Sequence, residues 1–144
     1  MQDAQKKTPE GWHRHANGGG LVEDTAKVYQ DAYVGRNARV SGRAEVYGDA
    51  RVSGRAEVYG DARVYGRALV SGVPKVLTGF PHIVTITDHH IRAGCEQHPP
   101  SVWRERGAAI IKADGYDSKT AKAWAQIINL IAEQHGCTDM EASK

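Results

Sequence analysis

Residues 22–76 read VEDTAK VYQDAY VGRNAR VSGRAE VYGDAR VSGRAE VYGDAR VYGRAL VSGVPK V, and this run decides the fold. Valine stands at 22, 28, 34, 40, 46, 52, 58, 64, 70 and 76, with no break in the six-residue spacing. Four residues after each valine comes a small residue, from Ala26 to Ala68, until Pro74 takes that slot. Glycine joins at 42, 48, 54, 60, 66 and 72, so the unit is Val-x-Gly-x-Ala-x. A fixed internal period marks a stacked, quasi-one-dimensional architecture. In each Ala-x-Val triplet, such as Ala26-Lys27-Val28, the outer two side chains point to one side of a short strand. The middle residue points to solvent and is usually charged. Glycine then permits a positive φ, and the chain turns. Short strand, turn and short strand predict a parallel β-helix, each strand paired with the coils above and below.

The pattern resembles the hexapeptide-repeat proteins, whose left-handed β-helix uses three hexapeptides per coil. The handedness and the three-sided section rest on that resemblance. It implies an N-terminal cap segment over 1–21, a three-coil left-handed parallel β-helix over 22–78, and a homotrimer as the assembled state. An eighteen-residue coil also aligns the outward positions. Tyr29, Tyr47 and Tyr65 fall above one another; so do Lys27, Glu45 and Arg63, and Arg39, Glu57 and Lys75. Both charged ladders alternate in sign, as neighbouring strands require for attraction. The tyrosine ladder has two readings: a stabilising row on the sheet, or a subunit contact and ligand-stacking face. A three-coil solenoid is short and depends on capped ends.

The flanks break the period. Before Val22, Trp12 is expected to cover the open end of the first coil, and Asn17-Gly18 to turn the chain into it. His13 and His15 alternate, which suits one shared face and a ligand role. After the repeat, a small α+β appendage over 79–144 is expected, giving a mainly β chain with two C-terminal helices. Lys75–Thr78, His82–Asp88 and His90–Cys95 have strand composition, with Gly79-Phe80-Pro81 as a turn. Pro99-Pro100 ends extended structure, and Ser101 is placed to cap a helix over 101–113. A second helix runs from Ser118 to His135, with Ala121, Trp124, Ile127, Ile128 and Ile131 on one face and Gly136 as terminator.

This layout also resembles small proteins of bacteriophages and prophages. The resemblance rests on His15–Gly20, the Val46–Arg51 hexapeptide, the Gly-Cys-x-x-His element Gly94–His98, and the helix from Ser118 onward. It covers nearly the whole chain and implies a phage-type protein acting in the host-cell cytoplasm.

Composition narrows the function. The chain has 144 residues and a formal net charge of +2, too small to signal nucleic-acid binding. Residues 22–76 interleave nine Lys/Arg with seven Asp/Glu, unlike a basic stripe for phosphates. No apolar run approaches a membrane span, and Met1–Lys7 lacks the apolar stretch of a signal peptide. Cytoplasmic location follows. Two cysteines, Cys95 and Cys137, are too few for a disulfide framework.

All seven histidines lie outside the repeats. Hexapeptide-repeat acyltransferases carry a catalytic histidine in or beside the coil, and γ-class carbonic anhydrases need a histidine triad on it. The enzyme reading is therefore the weaker one. The densest chemistry lies at Asp88–His98. His89, His90 and Arg92 could hold a small anion, since guanidinium matches phosphate. Cys95 and His98 have a Cys-x-x-His metal spacing but need further ligands. No cofactor is expected. The sequence thus reads as a non-catalytic binding protein, self-associating and capturing a small anionic ligand such as a host nucleotide immune signal. A structural or protein-interaction module, bound to a host protein, is the alternative. An acyltransferase is the third.

Overall fold

A computed structural model describes residues 8–80 and 82–140; expectations placed on Met1–Lys7 and Pro81 lie outside them. Contacts divide the chain into two compact units, Met1–Pro74 and Lys75–Lys144. The described chain is a mixed-sheet protein with two helices. Strand and helix are nearly equal, at about 26% and 24%, so the expectation of a mainly β chain is corrected.

The first unit contains β1 (Trp12–Arg14), β2 (Leu21–Glu23), β3 (Lys27–Val28), β4 (Tyr33–Val34) and β5 (Arg39–Val40). It continues with β6 (Glu45–Val46), β7 (Arg51–Val52), β8 (Glu57–Val58), β9 (Arg63–Val64) and β10 (Leu69–Val70). These form three sheets, ordered β1-β2-β5-β8, β3-β6-β9 and β4-β7-β10. Apart from the antiparallel β1–β2 pair, every ladder is parallel. Val22 faces Val40 and then Val58. Val28 faces Val46 and then Val64. Val34 faces Val52 and then Val70. Each partner stands eighteen residues further on. The valines of these ladders and the alanines from Ala26 to Ala68 form the buried interior, with Val28 only half-buried.

Most corners close by a backbone bond from the alanine, as when Ala44 N–H donates to the Ser41 carbonyl (3.3 Å). Gly42 has φ +66°, and no described non-glycine residue has positive φ, which is the type II′ pattern. Turning alone does not demand glycine. In the first coil Asp24 takes the same place, and Ala26 N–H still reaches the Glu23 carbonyl (2.9 Å). At Gly42 the stack adds a constraint of its own: a Cβ would lie 2.9 Å from the Gly60 nitrogen one coil on.

The start of the first unit differs from expectation. Trp12 sits opposite Glu23, and His13 opposite Val22. Directly opposed residues share a face, so Trp12 lies on the outer side and does not cover the interior. The loop after β1 does that work. Val34 N–H donates to the Asn17 carbonyl (3.0 Å), and Gly20 N–H to the Val34 carbonyl (2.9 Å). Gly18, at φ +113°, approaches so closely that a Cβ would stand 2.2 Å from the Val34 oxygen.

The second unit opens with β11 (Lys75–Leu77), then β12 (Val84–Ile86), β13 (Ile91–Ala93) and β14 (Glu96–His98), followed by α1 (Pro100–Ala113) and α2 (Ser118–His135). The four strands form an antiparallel meander. Lys75 and Val76 keep the repeat's spacing but pair with Ile86 and Thr85 in this meander. Lys75 therefore leaves the charged ladder of Arg39 and Glu57. The expected third strand, His90–Cys95, is β13 alone; the chain turns at Gly94, which takes φ +60°, and a fourth strand, β14, follows. Val84, Ile86 and Ile91 pack with Trp103 and Ile111 of α1 and with Ala121, Ala125, Ile128 and Ala132 of α2. Ile127, expected on that face, is 45% exposed. The buried spacing of 121, 125, 128 and 132 turns it outward. Among the described residues, no helix is long and apolar enough to cross a membrane.

Candidate functional site

The parallel register places Tyr29, Tyr47 and Tyr65 immediately after β3, β6 and β9. Their rings meet at centroid distances of 4.6 Å (Tyr29–Tyr47) and 4.9 Å (Tyr47–Tyr65). The second pair is stacked at 22°. Tyr29, at the free edge of this sheet, is 61% exposed. On the same strands Lys27, Glu45 and Arg63 lie in direct register. Because the residues flanking an inward valine both point outward, the tyrosine and charged rows share one outer face. The Tyr65 hydroxyl donates to Glu45 Oε1. Burial first, and then that Glu45 carboxylate, push the Tyr65 phenol up to about 12. Tyr65 is thus a fixed neutral ring, and Tyr29 is the open end of the stack.

His13 and His15 part company. His13 Nδ1 donates to Asp24 Oδ1 (2.8 Å) at the surface. His15 is buried, with Nε2 donating to the Ala32 carbonyl (2.7 Å). Strand β1 ends at Arg14, so the alternation that suggested a shared face stops one residue short of His15.

In the second unit the histidines tie a loop to the chain end. His89 Nδ1 donates to the Thr138 carbonyl (2.7 Å), and Thr138 N–H to the Asp88 carbonyl (3.1 Å). The His90 carbonyl accepts from Thr87 N–H (2.9 Å) and from Cys137 Sγ (3.8 Å). His90 Nδ1 is buried without a hydrogen-bond partner. Burial, reinforced by His89, lowers the His90 pKa. Arg92 stands in a cross-sheet row between Thr85 and Gln97. Cys95 is exposed at a turn, and His98 donates from Nε2 to Glu96 Oε1 (2.7 Å). Among the described residues no three His, Cys, Asp or Glu side chains gather as a metal site. Cys95 and Cys137 are free thiols, and burial raises the Cys137 thiol to about 11.

No family model, no curated protein and no solved structure matches this chain.

One feature had no signal in sequence spacing. Phe80, His82, Val84, Ala93, Glu96, Trp103, Ile110, Asp114 and Trp124 contribute to the walls of a pocket of about 380 Å³, counting its open mouth. These residues come from three strands, two loops and both helices of the second unit, so no local period could reveal them. Trp103 is fixed there by its Nε1–H donating to the Ile91 carbonyl (2.8 Å).

Proposed function

We propose that this chain is a non-catalytic binding protein of the hexapeptide-repeat, phage-type kind. Its parallel ladders form a left-handed three-sided β-helix, assembled as a homotrimer in the host-cell cytoplasm. Its ligand is a small anionic nucleotide of the sort that hosts use as immune signals, so the protein acts as a sponge. The reading is supported chiefly by the outward tyrosine row, exposed at Tyr29, with Lys27 and Arg63 on the same face. Aromatic rings stack on nucleobases, at about 1–3 kcal/mol per base. Ammonium and guanidinium groups pair with phosphate oxygens. Glu45 lies between the two cations and accepts from Tyr65, and Lys27 and Arg63 stand at the two ends of the charged row.

The test is calorimetric titration with a panel of cyclic mono- and dinucleotides against the wild type and Tyr29→Ala. Saturable heat is expected for at least one nucleotide, with affinity falling about tenfold in the variant, within the range of one lost base stack. Absence of heat across the whole panel contradicts the reading.

A further inference from the structure

The pocket of the second unit has a composition unlike the tyrosine face. Its aromatic walls are set at angles to one another. Phe80 and Trp124 meet edge to face at 88°, with centroids 5.5 Å apart. Tyr116 supports the Trp124 ring at 4.9 Å and 55°. Trp103 and Ile128, both buried, lie deeper in the lining. The carboxylates in the lining are Asp114 and Glu96, the latter accepting from His98 Nε2 (2.7 Å), and neither lysine nor arginine lines the pocket. His82 Nε2 reaches Asp114 Oδ2 (3.3 Å), and the His82 ring lies over Gly94, where a Cβ would come within 3.0 Å of it. Glycine at 94 therefore lets that imidazole settle at the rim.

We propose that this pocket binds an alkylammonium group, a cation clothed in methyl or methylene groups, through the Phe80 and Trp124 rings and the Asp114 and Glu96 carboxylates, with the buried Trp103 ring behind them. The π faces of aromatic rings attract cations, and quaternary ammonium groups are recognised by rings set around them. A hard metal ion requires a shell of oxygen ligands, and carbon walls would strip its hydration without replacing it. An alkylammonium ion loses little hydration against those walls, and the two carboxylates supply the long-range attraction. An anion meets two like charges here. A neutral apolar molecule fills the walls but gains nothing from either carboxylate. This site is independent of the tyrosine face, since every lining residue belongs to the second unit.

The experiment uses the full-length protein and two probes of nearly equal shape, choline and its uncharged carbon analogue 3,3-dimethylbutanol. Binding is followed by tryptophan fluorescence and by the indole N–H signals of Trp103 and Trp124. Choline is expected to saturate both readouts and to bind more tightly than the uncharged analogue by roughly 2- to 30-fold, the usual span of a cation–π contribution. Asp114→Asn and Glu96→Gln replace exposed carboxylates without changing shape, and each is expected to weaken choline severalfold while leaving the analogue unchanged. Tyr29→Ala is expected to leave choline binding intact, which separates this site from the nucleotide reading. Equal affinity for the two probes, or choline binding indifferent to both carboxylate variants, overturns the proposal. So does the absence of any response to choline at either tryptophan.

Discussion

The two units of this chain are held by opposite kinds of contact. In the first, each strand meets a copy of its own chemistry eighteen residues away: valine on valine, glycine turn on glycine turn, tyrosine on tyrosine. In the second, each key contact joins unlike groups. Trp103 donates to the Ile91 carbonyl, His89 to the Thr138 carbonyl, and Ser101 N–H to Asp139 Oδ1 (3.0 Å). Repetition writes the same instruction many times, so the sequence displays it. A contact between unlike residues far apart is written once and carries no period.

The most severe way to break the comparison is to place a charge inside the ladders. Val52 is fully buried between Val34 and Val70. A carboxylate there has no partner, and Val52→Asp is expected to cost about 4–7 kcal/mol, the equivalent of a carboxyl pKa raised by 3–5 units. Hydrogen exchange should show lost protection first across 22–70. Preserved exchange rates there would mean that the parallel ladders do not hold the unit together.

A smaller effect sharpens the second half. Trp103→Phe keeps most of the apolar volume but removes the indole donor from the buried Ile91 carbonyl. Loss of about 1–3 kcal/mol is expected in urea unfolding, the cost of an unsatisfied buried acceptor.

Acid should divide the two units. Burial lowers the pKa of His90 and of His135, so the unfolded chain binds protons more readily than the folded one below the ordinary histidine value. Stability is then lost as pH falls below about 6.5. Asp139 is held below the usual carboxylate range by its hydrogen bonds from Ser101, and Asp117 by those from Thr120. Their contribution is present above the ordinary carboxylate pKa and disappears as pH falls through their depressed values. All four groups belong to the second unit. Exchange measured from pH 7 downward should therefore show 100–139 opening before 34–70. The reverse order would contradict this assignment.

The mildest test concerns Tyr65. Its phenol, raised to about 12, favours the folded state below the ordinary tyrosine value near 10, and that preference is lost as pH rises through about 12. A late absorbance step of tyrosine ionisation near pH 12 is expected in the wild type and not in Tyr65→Phe. Retention of that step in the variant would assign it to another tyrosine.

These contrasts explain what the sequence disclosed. The valine register, the aligned tyrosines and the Lys27–Glu45–Arg63 row are all readable, because a period of six and a coil of eighteen fix them. The helix ends were partly readable: Gly136 closes α2 with φ +85° through a local preference. The start of α1 was not. Pro99 occupies the capping position without a side-chain bond, and the missing acceptor arrives from Asp139, beyond the end of α2. His13 and His15 misled for a related reason, since their alternation assumes a strand longer than β1. The aromatic pocket was hidden because its walls converge from segments separated by dozens of residues.

The central functional claim is that the tyrosine face of the repeat unit holds an anionic nucleotide in a trimeric protein. Native mass spectrometry of the protein purified from cells, beside Tyr29→Ala, tests it most directly. The expected result is a three-subunit ion carrying an added mass that matches a nucleotide and is lost or reduced in the variant. A monomer without added mass, or an adduct retained undiminished by Tyr29→Ala, would contradict it.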